Sequence, residues 1–344
     1  MGIVGIGFGQ HVHIPAVRSI STCQVTALAA STQERADQVA QRHDVPIAYG
    51  TWQALVASPE VDLVSIATPP AVQMEIIRAS LTAGKPVFCE KPVALTAENA
   101  RELANQAQCN NIPSVVNFEF REIPAWQLAK SILDSGEIGT LRHIAINWNV
   151  ETYANKMGLD SWKTRPKDGG GTLNMFVSHS FYYIEWLAGP IRRLTARLGK
   201  ALHDTRTGDT VAALCLELES GCLVSLSVSS HAFLGSGHKL EFYGTQGTLL
   251  LENATTDYVR GFQLHYGTRS SNELKRVEVE PDDNTAQDGR IVAVSKLIDG
   301  LVRWILNGTP ASPTLFDGAR VQTLLDAAKG ANAQGCWIDT PEPH

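Results

Sequence analysis

Gly2-Ile3-Val4-Gly5-Ile6-Gly7-Phe8-Gly9 is the stretch from which the fold is read. A short apolar strand runs straight into a glycine-rich turn. Pro15 then suits the first turn of a helix, and Ala16, Val17 and Ile20 give that helix an apolar face. Glycines in such a turn let the backbone bend sharply and approach a pyrophosphate, whose charge meets the helix N-terminus. The match to G-x-G-x-x-G is imperfect: Gly5 and Gly7 fit, but Gln10 holds the third place and Gly9 comes one residue early. Taken alone, the turn suits a bland glycine loop as well as a nucleotide site. Its surroundings decide between them.

Working outward, residues 25–30 have strand character and residues 33–42 follow as a helix. The apolar run 61–67 is a buried strand that ends at Thr68-Pro69-Pro70, and a helix over 71–83 is stopped by Gly84. Next come Pro86-Val87-Phe88-Cys89 as a strand, a helix over 96–109 and a strand over 114–118. Repeated βα units specify a doubly wound parallel sheet, a Rossmann-type dinucleotide-binding domain over residues 1–121. After Ile138-Gly139 the pattern changes. A helix over 124–134 leads into strands at 141–150, 194–198, 211–218, 222–229, 239–243, 248–251 and 261–264. Two late helices, over 292–306 and 318–332, complete a second domain over 122–344, with an open, mainly antiparallel sheet and helices on one face. The other face of that sheet would be free to pack on a partner, as expected of a substrate and oligomerisation domain.

The bulk properties agree with this division. A chain of 344 residues suggests two domains, and 44% hydrophobic with 19% charged residues is ordinary globular composition. A net charge of −6 without Lys/Arg blocks gives no nucleic-acid or membrane surface. No apolar run has the length of a spanning helix and the N-terminus lacks a signal pattern, so a soluble cytoplasmic protein is expected. Six scattered cysteines without a CxxC pair suit reduced thiols, and no metal-ligand cluster is visible.

In an open parallel sheet, ligands bind at the carboxyl ends of the strands. Glu90-Lys91-Pro92 closes the strand at 86–89, which puts the Lys91 amine beside a cofactor. At the end of the second strand, where NAD-binding folds carry an acidic residue for the ribose, the chain has Ser31-Thr32, with Arg35 on the next turn. Two hydroxyls and an arginine without a carboxylate favour NADP over NAD. Later, Trp162, Arg165 and Gly169-Gly170-Gly171 precede a helix containing His179. Ser178 suits its N-cap, which would place His179 in the first turn, where the helix-end potential favours a neutral imidazole able to exchange a proton.

Together these residues resemble the Gfo/Idh/MocA oxidoreductases (glucose–fructose oxidoreductase / inositol dehydrogenase). The likeness rests on Gly5 to Gly9 with His13 and Pro15, Thr68-Pro69-Pro70 and Ala83-Gly84-Lys85-Pro86 running to Glu90-Lys91-Pro92. Arg121 with Pro124, Trp162, the glycine triplet, His179, Trp186-Leu187 and Gly189 complete it. The resemblance implies an NAD(P)-dependent dehydrogenase or reductase acting on a sugar, polyol or related hydroxy/keto compound. It also implies a homodimer or homotetramer formed through the C-terminal sheet. Lys91 and His179 would be catalytic, with Lys91 polarising the reacting oxygen, His179 transferring the proton and Pro92 fixing the loop through a cis bond. Gly5, Gly7, Phe8, Gly9, Ser31, Thr32, Arg35, Thr68, Pro69, Glu90 and Lys91 would hold the cofactor. Substrate would meet Lys91, Glu119, Trp162, Arg165, His179 and Tyr182. Glu119 and Arg121, at the end of the last Rossmann strand, would reach the cleft, and Tyr153 and His238 are further candidates. Three positions depart from the family. Met175 and Tyr182 stand where relatives often carry aspartates, and Gln73 replaces a histidine. Glu119 could then supply the missing negative charge, and Tyr182 or Tyr183 a polar role. Two other functions use the same fold: a glycosidase that uses bound NAD transiently, and a non-catalytic dinucleotide-binding regulator.

Overall fold

The computed structural model describes residues 1–279 and 287–342. The chain divides into two compact units, Met1–Glu119 with Thr285–Gln322, and Phe120–Asn284 with Thr323–His344.

The first unit is built on a parallel sheet of β1 (Gly2–Val4), β2 (Ala27–Ala29), β3 (Ile47–Tyr49), β4 (Val64–Ile66), β5 (Val87–Cys89) and β6 (Ser114–Val116), in the order β3-β2-β1-β4-β5-β6. All of these strands except β3 are fully buried, which is why they appear in the sequence as continuous apolar runs rather than alternations. The helices α1 (Ile14–Arg18), α2 (Gln33–Arg42), α3 (Trp52–Ala57), α4 (Pro70–Thr82) and α5 (Ala97–Cys109) connect them. Thr32, Thr51 and Thr96 cap α2, α3 and α5 by accepting from the N–H of Arg35, Ala54 and Asn99, each cap contributing on the order of 1 kcal/mol. The sequence reading lacked β3 and α3.

Two apolar layers lie on the sheet. Ile3, Leu28, Ala36 and Val39 form one of them. In the other, Val12, Val17, Phe88 and Val115 meet Val294, Leu297, Ile298 and Leu301 of a late helix, Arg290–Asn307. The spacing of those four late residues is one helical stripe, so the chain returns to complete the first unit.

A 3-10 turn, Glu119–Glu122, carries the chain from the first unit into the second, which continues with α6 (Pro124–Asp134). Its sheet comprises β7 (Leu141–Asn149), β8 (Ile191–Gly199), β9 (Val211–Leu218), β10 (Leu223–Ser229), β11 (Gly237–Gly244), β12 (Gly247–Asn253), β13 (Gln263–Thr268), β14 (Lys275–Val277) and β15 (Ile338–Asp339). The order is β14-β13-β12-β11-β7-β10-β9-β8-β15. The described pairs are antiparallel except β7 with β10, which run parallel in the register Leu223 to His143 through Ser229 to Asn149. Burial alternates along β9 and β10, leaving Val211, Cys215 and Leu223 on an exposed face. Helices α7 (Tyr153–Lys156) and α8 (Ser178–Ala188) lie between β7 and β8, and the Arg290–Asn307 helix (α9) precedes α10 (Leu315–Gln334). No helix among the described residues is long and apolar enough to cross a membrane, and none of the six cysteines is disulfide-bonded.

Candidate active site

In the first unit the chain leaves β1 toward β2 and β3, then crosses to β4, β5 and β6 on the other side. This reversal makes a switch point between β1 and β4, the place where such sheets hold dinucleotides. The turn after β1 is shaped for it. Gly5 has φ +96°, and a Cβ there would lie 2.4 Å from the Ala67 carbonyl oxygen at the end of β4. Gly7 meets nothing within 4 Å, so the turn is open on that side. The helix starts at once, as a π-turn over Gly9–His13 that runs into α1, with the Ile14 N–H on the Gly9 carbonyl. Pro15 lies in the first turn of α1, where a residue that cannot donate is tolerated, with the π-turn running directly into it. At the end of β4, Thr68 Oγ1 is buried with no hydrogen-bond partner, and Pro69 precedes α4. A buried hydroxyl left this way has a hydrogen bond to offer a ligand or a water. Beyond β2, Arg35 donates to Ser31 Oγ at 2.9 Å, and both side chains are exposed. Thr32 is occupied as the α2 cap.

Beyond β5, the loop Glu90-Lys91-Pro92 is clasped from two sides. The fully buried Gln73 side chain of α4 donates to the backbone carbonyls of Glu90 and of Pro92, the latter at 2.9 Å. Asn117 donates to Glu90 Oε1 at 2.7 Å, and His13 Nε2 lies 3.2 Å from the same oxygen. His13 Nδ1 lies 2.7 Å from Ser65 Oγ. Burial would raise the Glu90 pKa, but the hydrogen bonds from His13 and Asn117 and the charges of His13 and Lys91 outweigh it and hold the carboxyl below its usual range. The Lys91-Pro92 bond is cis. Gln73 thus has a visible use in holding this loop.

Glu119 was read as ending the last strand, but β6 stops at Val116 and Glu119 opens the 3-10 turn. Its carboxyl is buried, and burial followed by the charge of Glu90 raises its pKa to about 7, against the opposing pull of Lys91 and Arg290. Near neutral pH it is only partly ionised, so it is an incomplete source of negative charge. The raised value also sets a stability trend. Below the unfolded pKa of 4.5 both states hold the proton; between there and about 7 only the folded chain does. Stability therefore falls as pH rises through that window, by up to on the order of 3 kcal/mol from this group. Denaturant melts at pH 5 and pH 8 should show Glu119→Gln stabilised relative to the unaltered protein only at the higher pH. A difference that does not change with pH contradicts the assignment.

In the second unit, α8 is not capped by Ser178. The helix begins five residues earlier with a π-turn, Leu173–Val177, and the Ser178 hydroxyl donates to the Asn174 carbonyl at 2.7 Å. The start of that stretch is capped from β9's approach, where Asp209 Oδ2 accepts from the Leu173 N–H at 2.7 Å. Gly171 makes room for this contact, because a Cβ there would lie 2.4 Å from Asp209 Oδ1. His179 accordingly sits well inside a helix, and the helix-end argument for its neutrality does not apply. Its buried ring lies edge-on to Phe120 at 5.1 Å and is tilted against Trp148 at 6.2 Å. Met175, one turn earlier, is half-buried.

Tyr182 Oη accepts from Arg121 Nη1 at 2.9 Å, and the same guanidinium lies 5.7 Å over the Trp186 ring. Tyr183 belongs to the core instead. Its hydroxyl bonds Ser180 Oγ at 2.9 Å and His238 Nε2 at 3.0 Å, and burial pushes its pKa far up. His238 stacks on Trp148 at 4.2 Å, and burial pushes its pKa down to about 3, as suits a structural histidine. Trp162 starts a 3-10 turn, Trp162–Thr164, on which Gly170 packs so closely that a Cβ would lie 2.2 Å from the Trp162 carbonyl oxygen. Arg165 is ion-paired with Asp168 at 3.1 Å and Asp160 at 3.7 Å. Tyr153 is largely exposed on α7. The structure thus gathers Glu90, Lys91 and Glu119 in the first unit, and His179, Tyr182 and Arg121 in the second.

Residues 1–118 match the family model described as oxidoreductase family, NAD-binding Rossmann fold, and residues 126–250 match the GFO/IDH/MocA C-terminal domain. An uncharacterized oxidoreductase of Synechocystis is 32% identical over 99% of this chain and 96% of its own length. The chain belongs to the Gfo/Idh/MocA oxidoreductase family. Its first unit is accordingly an NAD-binding Rossmann domain. Levoglucosan dehydrogenase of Pseudarthrobacter phenanthrenivorans is 24% identical over 99% of this chain and 98% of its own. A solved structure of levoglucosan dehydrogenase in complex with NADH superposes with a TM-score of 0.86, at 22% identity over 99% and 98% of the two chains. Trans-1,2-dihydrobenzene-1,2-diol dehydrogenase of Bos taurus is 28% identical over 72% of each chain.

Proposed function

We propose that the protein is a cytoplasmic NAD(P)-dependent dehydrogenase or reductase that interconverts a CH–OH group and a carbonyl on a sugar, polyol or related cyclic compound. The observation that carries this reading is the clasp on Glu90 and Pro92, which holds the loop bearing Lys91 just beyond β5, at the carboxyl edge of the dinucleotide-binding sheet. Relatives named for levoglucosan and a dihydrobenzene diol support a cyclic hydroxy compound as substrate. Bound nicotinamide supplies or accepts the hydride. The Lys91 ammonium polarises the substrate carbonyl or holds the alkoxide, and His179 takes the hydroxyl proton or returns it. Tyr182, oriented by Arg121, replaces an acidic partner with a neutral hydroxyl. Glu119, Trp162 and Arg165 complete the substrate contacts in this reading. Nicotinamide deuterated at the transferring carbon tests it: label should appear at one carbinol carbon of the reduced product. Glycoside cleavage without transferred label would support the glycosidase instead.

The cofactor preference follows from the end of β2. An exposed guanidinium held by the Ser31 hydroxyl, with no carboxylate at that strand end, suits a 2′-phosphate, so NADP is preferred over NAD. Ser31→Asp should shift the ratio of NADPH to NADH affinities at least about tenfold toward NADH. Unaltered protein that already prefers NADH refutes this assignment. Copies pair through the exposed face of the second sheet as a homodimer or homotetramer. A single monomer mass by light scattering would contradict that arrangement.

A further inference from the structure

We propose that Arg290 is a dinucleotide-binding residue, placed at the glycine turn by the chain's late return to the first unit. The inference rests on the cofactor reading of that unit. Arg290 opens α9, the helix whose Val294, Leu297, Ile298 and Leu301 pack on the Rossmann sheet, so its position is fixed by a buried apolar face. Its guanidinium carbon lies 4.8 Å from the ring centroid of Phe8, the residue between Gly7 and Gly9. Asp288 grips it from the other side: Nε donates to Oδ1 at 2.9 Å and Nη2 to Oδ2 at 2.6 Å. A guanidinium stacked on an aromatic face and held by a bidentate carboxylate is fixed in place before any ligand arrives.

The charges around it show what it is for. Residues 2–10 carry no charged side chain, while the fields of Glu90 and Glu119 both reach Arg290. Those groups, Glu90 ionised and Glu119 partly so, would repel a pyrophosphate approaching the same crevice. Arg290 offsets them at the turn whose open side, at Gly7, admits the diphosphate. Lys91 is committed to the reacting end of the site, and Arg35 to the far end of β2.

Ligands that differ in the diphosphate test the assignment. Affinities of NADPH, ADP-ribose and AMP are measured by titration, with ADP-ribose and AMP competing against NADPH fluorescence. Arg290→Ala should weaken NADPH and ADP-ribose about tenfold or more and leave AMP within about twofold. Arg290→Lys, which keeps the charge but not the planar stack, should lose less and guards against a variant that fails to fold. Unchanged affinity for all three in a folded variant overturns the proposal, as does an equal loss for all three. Unaltered protein that binds none of them overturns the cofactor reading itself.

Discussion

Replacing Lys91 by alanine should lower kcat by about 10²-fold or more while NADPH and NADH still bind. The loop that presents Lys91 is held by bonds to its neighbours: Gln73 binds the carbonyls of Glu90 and Pro92, and His13 and Asn117 face the Glu90 carboxylate. Loss of the ammonium leaves those bonds in place. On the proposed mechanism, what disappears is the charge that would stabilise the developing alkoxide, an interaction made most strongly in the transition state. The effect should therefore fall on kcat rather than KM. Steady-state kinetics with a parallel dinucleotide titration separates the two. Normal turnover refutes the role of Lys91, and a collapse of dinucleotide affinity would reassign it to binding.

A second large loss, about 10²- to 10⁴-fold in kcat, is expected for His179→Asn. Asparagine keeps a polar group of moderate size among Phe120 and Trp148, so the aromatic packing around the site is disturbed less than by alanine. The diagnostic readout is the pH profile: one limb of log kcat against pH should vanish in the variant. Tyr182→Phe provides the comparison. Its hydroxyl is held by Arg121, and removing it should cost a few-fold if His179 is the proton carrier. A greater loss in Tyr182→Phe, with the pH profile of His179→Asn unchanged, would transfer the proton role to the tyrosine.

Much of the first unit was legible because buried parallel strands leave continuous apolar runs, as at residues 86–89, punctuated by glycine and proline. The short β3, half-buried at the sheet edge, leaves too little pattern to read, and α3 went with it. In the second unit, alternation located β9 and β10, but alternation is the same for either direction, so the parallel β7–β10 pair could not be foreseen. The helix carrying His179 was misplaced for a different reason. Its cap, Asp209, is 36 residues away in sequence, beyond any local signal, while Ser178 offers a plausible local one. The stripe of α9 showed that a helix would form and not which surface it would cover. Hence Arg290 escaped notice. Lys91 was singled out because its signal is local: an apolar strand, a charge and a proline in succession.

Stopped-flow absorbance at the nicotinamide band, with NADPH or NADH and a panel of sugars and keto-sugars, tests the central claim most directly. The account predicts tight dinucleotide binding and a substrate-dependent absorbance change that Lys91→Ala slows by about 10²-fold or more. Tight binding with no absorbance change for any member of a broad panel would contradict it. That outcome would point to a dinucleotide-binding regulator, with Met175 in the aspartate's place as the first residue to restore.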